Sequence, residues 1–267
     1  MITALNGVIA SSIVSFSYDA DAQLFFNAES AAGVTLSTTE KNAVNQSVLD
    51  LKANSLWTKM KFWYPIVGNT ATAQKFNLKN PADTNAAYRL VFNGGWTHSS
   101  NGALPNGVNA YASTFLIPNT VFGSGFASIG VYVNQALTIA SRAMGSTNMD
   151  ILIGSGFVRG GNKASTSSTA LAQSPNDGFI VNSRINSNTF YFMNRNGAFQ
   201  IANAIAVSSY ASTEIVLGAT NSNGTVTGYS NGRIALAYCS DFLTQAEATI
   251  LKSIVQTYQI TLGRQVV

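Results

Sequence analysis

Residues able to do chemistry are few in this sequence, and their spacing says as much as their identity. The one histidine, His98, lies in "RLVFNGGWTHSSNGALPNGVNAYAST", Arg89 to Thr114. An imidazole there offers a general base, but a serine-type triad also needs a placed nucleophile and an orienting acid. No Gly-x-Ser-x-Gly elbow occurs, and no such partner lies near His98 in sequence. Hydrolysis of a glycosidic bond needs two carboxylates flanking it. The eleven acids are dispersed, with Asp150, Asp177 and Glu214 alone in their β-prone stretches. Cys239 is the only cysteine, so no intrachain disulfide forms, and a zinc site lacks ligands unless subunits share one. "GSGFVRGGNKAS", Gly154 to Ser165, has neither phosphate-loop spacing and reads as a glycine-rich β-turn. Asp19 and Asp21 would supply half of a calcium site. No other cofactor is expected, no catalytic residue is assigned, and the chain is read as not an enzyme.

Binding chemistry is better represented. An aromatic face stacks on sugar C–H groups while amides and hydroxyls bond sugar hydroxyls. Trp96 and Tyr111 offer the faces, and Asn101, Asn106 and Asn109, with His98, offer polar contacts. The competing reading has Trp96 in the core, His98 fixing a turn and the asparagines bending the backbone.

These residues need a scaffold, and the patterning predicts a β one. "YRLVF", "FASIGVYVN", "MDILIG", "GFIVNSRI", "TFYFMN", "EIVLGAT" and "GRIALAYC" are short runs rich in β-branched and aromatic residues. Turn signals separate them: Asn101-Gly102, Asn106-Gly107, Asn196-Gly197, Asn223-Gly224 and Asn231-Gly232. With no helices among them, an antiparallel sandwich or jelly roll is expected rather than a parallel sheet. "THSSNGALPNGVN" reads as a double turn between strands, and Asn162 to Gly178 as a polar surface loop. Two helices flank the β region. One opens at Ser37 with Glu40 three residues on; the other opens at Thr244 with Glu247, and Gly263 stops it. Residues 1–36 are expected to form an N-terminal arm, β-prone and contacting another subunit, and 37–267 the helix plus jelly-roll body.

Composition narrows the class. Only 10% of the 267 residues are charged, against about a quarter in ordinary globular proteins. The neutral surface, rich in hydroxyls and amides, suits secreted β proteins and virion proteins. Fifteen basic residues give a net charge of +4 but are scattered. In "WTKMKFW" the aromatics should face inward and Lys59 and Lys61 outward, so nucleic acid is not an expected partner. No apolar run reaches membrane-spanning length, and no membrane association is expected. The N-terminus lacks the positive start of a signal peptide, since no Lys or Arg precedes Lys41.

Two segments carry a resemblance. "LWTKMKFWYPIVGNTATAQKFNLKNPADTNAAYRLVFNGGWTHSSNGALPNGVNAYAST" resembles the front of a concanavalin A-like (laminin G-like) jelly roll in structural proteins of tailed bacteriophages and prophages of Bacteroides-group hosts. "GYSNGRIALAYCSDFLTQAEATILKSIVQTYQ" is similar to the closing strand and Leu-Thr-x-x-Glu helix of such domains. The resemblance implies a non-enzymatic virion component (fibre, tail or capsid surface) on the extracellular face of the particle. It also implies other virion proteins as partners, a homo-oligomer (trimer or dimer), a host surface glycan as ligand, and calcium at the rim. The alternatives are a secreted bacterial carbohydrate-binding module and, behind it, a polysaccharide-degrading enzyme.

Overall fold

The computed structural model describes residues 17–164, 170–203 and 209–266. Five α-helices lie among them: α1 (Ala20–Ala31), α2 (Thr38–Ala53), α3 (Ala71–Gln74), α4 (Pro118–Phe122) and α5 (Gln245–Thr261). The strands form two sheets. In the first the spatial order is Phe199–Asn203, Thr189–Met193, Gly178–Arg184, Ala127–Gln135, Arg233–Asp241, Gly102–Pro105 and Trp96–Ser99. Met60–Tyr64 also pairs with Arg233–Asp241, along Ala237–Ser240. The second sheet runs Leu171–Ala172, Phe157–Arg159, Met149–Gly154, Ser141–Ser146, Val216–Leu217, Tyr111–Ser113 and Val91–Asn93. A hairpin of Thr220–Ser222 and Thr225–Thr227 extends it. The pairings are antiparallel apart from one parallel bridge, Asn221 to Ser146. The architecture is the expected jelly-roll-type β-sandwich.

The central strands of the first sheet are buried on both faces, which is why they read as nearly unbroken apolar runs. Ile129, Val131, Val133, Phe190 and Phe192 face the second sheet, meeting Met144, Ile151, Ile153 and Leu217. Tyr132, Phe179, Val181, Tyr191 and Tyr238 face the other way, under α1, α2 and α5. Gly130 makes room for this helix-side layer: a Cβ there would lie 2.1 Å from the Tyr238 ring. The molecule is thus three layers, helices on sheet on sheet. Among the described residues no helix is long and apolar enough to cross a membrane.

Both capping boxes form as expected. Ser37 and Glu40 start α2, Thr244 and Glu247 start α5, and Gly263, at φ 66°, follows its end. Asn223 (φ 51°) and Gly224 (φ 93°) supply the paired positive φ angles of a tight hairpin turn. "GSGFVRGG" is the hairpin of Met149–Gly154 with Phe157–Arg159, turning at Gly156.

Three local expectations need correcting. Residues 20–31, expected in a β-prone arm, are helical. Asp19 caps α1 by accepting from the Asp21 amide, and Ala22, Phe25 and Phe26 join the core; residues 1–16 of that segment lie outside the described residues. The "double turn" is a hairpin, Trp96–Ser99 against Gly102–Pro105, followed by a turn at 106–109. The stretch Asn162 to Gly178 is not all surface: Asn162, Lys163, Gln173 and Asp177 are buried, and Leu171–Ala172 is an edge strand. The Asn162 amide donates to Ala127 and Asn182 carbonyls, sealing one end of the sandwich with polar contacts that sequence alone does not display.

Candidate functional site

The hairpin and turn that carry the expected ligand residues sit at one end of the sandwich. Trp96 is half-buried. Its indole N–H is shared between the Asn93 and Tyr111 carbonyls at 3.0 and 3.2 Å, and its ring packs edge-on against Phe92. His98 stacks beside Trp96, and its Nδ1 is 2.7 Å from Gln74 Oε1. Burial lowers the His98 pKa below the ordinary histidine value, keeping the ring neutral. With Gln74 Oε1 able only to accept, Nδ1 carries the proton. Asn106 Oδ1 accepts from the amides of Val108, Asn109 and Ala110, and its Nδ2 donates to Asn109 Oδ1, which also accepts from Gly95. Asn101 and Tyr111 differ. The Asn101 side-chain amide and the Tyr111 hydroxyl make no hydrogen bond within the described chain. The structure therefore brings Trp96, His98, Asn106, Asn109 and Tyr111 near one another, leaves Asn101 at the opposite tip of the hairpin between Ser99 and Gly102, and spends most of their polar atoms on holding the backbone. Arg264 supports this end from beneath. Its buried guanidinium donates to the carbonyls of Pro65, Ile66, Ser100 and Ala235 and to Gln259 Oε1.

A second surface arises where the ends of three neighbouring strands come together. Asp241 lies opposite Ala127, and Ser240 opposite Met60, so the residues just outside each strand are forced side by side. They enclose a cleft of about 510 Å³ lined by Val121, Phe122, Gly125 and Phe126 on one wall and Lys59, Asp241 and Phe242 on the other. That is within the range of small-ligand sites. The Phe242 amide donates to the Phe126 carbonyl at 3.0 Å and ties the walls together. Phe242 is 38% exposed and is the one exposed aromatic among the described residues.

Charge stands at the rim of this cleft and not on its floor. The Lys59 ammonium lies 5.2 Å from the Phe242 ring centroid and pairs with Glu247. The Lys61 ammonium lies 6.0 Å from the Phe122 ring and 2.9 Å from the Asp241 carboxylate. Burial would raise the Glu247 pKa, but the bonds from Lys59 and from the Thr244 amide outweigh it and hold the carboxylate below its usual range. An apolar floor with donors and acceptors around it suits a ring with one C–H face and hydroxyls at its edge. Sequence reasoning placed Lys59 and Lys61 outward among inward aromatics, as found, but did not bring Phe242 to them. The contact spans 183 positions.

Other chemistry is accounted for locally. Asp150 pairs with Arg142 and accepts from the Gly161 amide, Asp177 pairs with Arg195, and Glu214 accepts from the Phe115 amide. The half calcium site does not fit an ion. The Lys52 ammonium stands 2.6 Å from both the Asp19 and Asp21 carboxylates, supplying the positive charge itself. Among the described residues no three of His, Cys, Asp and Glu cluster as metal ligands. Cys239 is buried, which pushes its thiol pKa well up.

No protein-family model matches the sequence, and no curated protein matches it. Solved structures share its fold. One is a botulinum neurotoxin type C structure, concerned with that toxin's interaction with two ganglioside molecules: 12% identity, 76% of this chain, 53% of that one, TM-score 0.51. Another is the botulinum neurotoxin serotype D/C VPI 5993 binding domain, with 10% identity, 75% and 53% coverage and a TM-score of 0.52. A third is a Trypanosoma rangeli sialidase mutant displaying trans-sialidase activity, with 11% identity, 83% and 39% coverage and a TM-score of 0.51. The chain spans about half the length of the toxin structures, and less of the sialidase. At such identities the likeness shows a shared β-sandwich fold.

Proposed function

We propose that this chain is a non-enzymatic glycan-binding protein on the outside of a bacteriophage particle, a fibre, tail or capsid-surface component. In this reading it joins other virion proteins, forms a dimer or trimer, and meets a host surface glycan. The observation that carries the binding role is the Phe242 cleft, with a partly exposed aromatic ring in its wall and charged hydrogen-bonding groups at its rim. The toxin whose interaction with gangliosides is described shares the sandwich, which supports a glycan role on this scaffold. The virion setting rests on the resemblance of Leu56–Thr114 and Gly228–Gln259 to phage structural proteins. The non-enzymatic reading is supported by the carboxylates: Asp150, Asp177, Glu214, Asp241 and Glu247 are each bonded to a cation or a backbone amide.

The test is a panel of neutral hexose and N-acetylhexosamine oligosaccharides titrated against the protein and against Phe242→Ala, with sugar release followed in parallel. Saturable binding by the parent, weakened in the variant, with no release, is the expected result. Release of reducing sugar, or binding that Phe242→Ala leaves unchanged, would overturn the reading.

A further inference from the structure

One wall of the cleft is a segment that its own backbone does not fully support. α4 is a single short turn ending at Phe122, and the next residues run through Gly123 at φ 51°, outside any helix or strand. Hydrogen bonds from Gly123 to Asn119 and from Gly125 to Phe122 shape the turn. The carbonyls of residues 123, 124 and 125 then point the same way, as helix-end carbonyls do when no following amide reaches them.

A lysine from the opposite side of the sandwich meets them. Lys163 follows the second sheet; its amide donates to the Asn148 carbonyl, and its backbone takes a left-handed conformation at φ 51°. The residue is 2% exposed. Its ammonium donates to the carbonyls of Gly123 at 3.3 Å, Ser124 at 3.0 Å and Gly125 at 3.3 Å. It also lies 5.4 Å from the Phe126 ring centroid and 5.1 Å from that of Tyr210. Among the described residues no carboxylate lies within ion-pair distance of it. A buried ammonium without a counter-ion is costly, and here three carbonyl dipoles and two ring faces offset that cost.

We propose that Lys163 is the positioning residue of the cleft. Its ammonium gathers the carbonyls of residues 123–125 and thereby sets where Gly125 and Phe126 stand as a binding wall. The cradle is a site for one monovalent, hydrogen-bonding cation, which the lysine fills with its own side chain. The effect on ligand affinity rests on the glycan reading above; the effect on the wall does not.

Amide hydrogen exchange separates the two. In Lys163→Met, which keeps an unbranched chain but loses the ammonium, the amides of Val121, Gly123 and Gly125 should exchange at least tenfold faster. Those of strands Ala127–Gln135 and Gly178–Arg184 should keep their rates. In Lys163→Gly, ammonium chloride should slow the wall amides again, while tetramethylammonium chloride, which has no N–H to donate, should not. Wild-type exchange at the wall in either folded variant without ammonium would overturn the proposal. So would global unfolding of both variants in the presence of ammonium, since it would make the lysine a support of the whole fold. A loosened wall in a protein whose parent binds no oligosaccharide in the panel would keep the clamp and remove the glycan reading.

Discussion

At the Trp96 end of the sandwich most of the polar groups are consumed by structure, whereas at the Phe242 end an aromatic ring is left partly open to solvent. Asn106 and Asn109 bond a four-residue turn, the Trp96 N–H bonds two carbonyls, and Arg264 braces the hairpin from below. At the cleft, paired charges hold the rim while the Phe242 ring stays partly exposed. Residue types that look functional in a sequence, an asparagine-rich turn with a tryptophan and the only histidine, can be a self-satisfied piece of architecture. A plain "DFL" between a strand and a helix can line an open cleft.

The largest effect is expected at the braced end. Arg264→Ala strips four carbonyls and Gln259 of a buried charged donor, and should cost about 3–5 kcal/mol in denaturant unfolding. The folded fraction should still bind glycan with parental affinity, which separates architecture from binding. Next, Asn106→Ala leaves three amides without their shared acceptor and should lower stability by about 1–2 kcal/mol, again without weakening glycan binding. A selective loss of binding in Asn106→Ala would move the site back to the turn. Phe242→Ala should do the reverse: little change in unfolding, since the ring is partly exposed, and about a tenfold (~1.4 kcal/mol) loss of affinity by calorimetry.

Two titrations sharpen the contrast further, with opposite signs. Glu29 in α1 is 1% exposed, neither of its oxygens has a hydrogen-bond partner, and burial together with Glu40 pushes its pKa up to about 9. A carboxyl raised on folding stabilises below its unfolded value near 4.5, and that contribution is lost as pH rises toward 9. The slope reaches at most about 1.4 kcal/mol per pH unit. His98 is lowered on folding, so its contribution is present above the unfolded value near 6.5 and is lost as pH falls below it. Unfolding of Glu29→Gln across pH 5–9 should therefore show a flatter alkaline limb and expose the smaller acid-side loss. Glu29→Gln/His98→Gln should remove that loss as well. An unchanged alkaline limb in Glu29→Gln would show that the carboxyl is not held protonated.

The sandwich was legible in the sequence because its causes are local. The β-branched runs, the Asn-Gly turns and the two capping boxes at Ser37–Glu40 and Thr244–Glu247 each act within a few residues. α1 was missed because its apolar residues, such as Leu24, Phe25 and Phe26, do not keep to one face; Leu24 is exposed while Phe25 is buried. The hairpin at Trp96 was missed because glycine, proline and serine read as turn, yet a strand of only four residues can be held by its partner. The cleft was illegible for a different reason. Lys59, Phe122 and Phe242 lie far apart in sequence and meet only through strand register, which sequence patterning does not display. The nearest clue was "WTKMKFW", whose lysines stand at the rim.

Binding at the cleft is tested most directly by a residue-resolved titration by nuclear magnetic resonance, following backbone amides as the neutral oligosaccharide panel is added. Binding at the Phe242 cleft predicts saturable shifts at residues 121–126 and 241–243 with residues 106–111 unmoved, whereas shifts confined to Trp96 and residues 106–111 would contradict it.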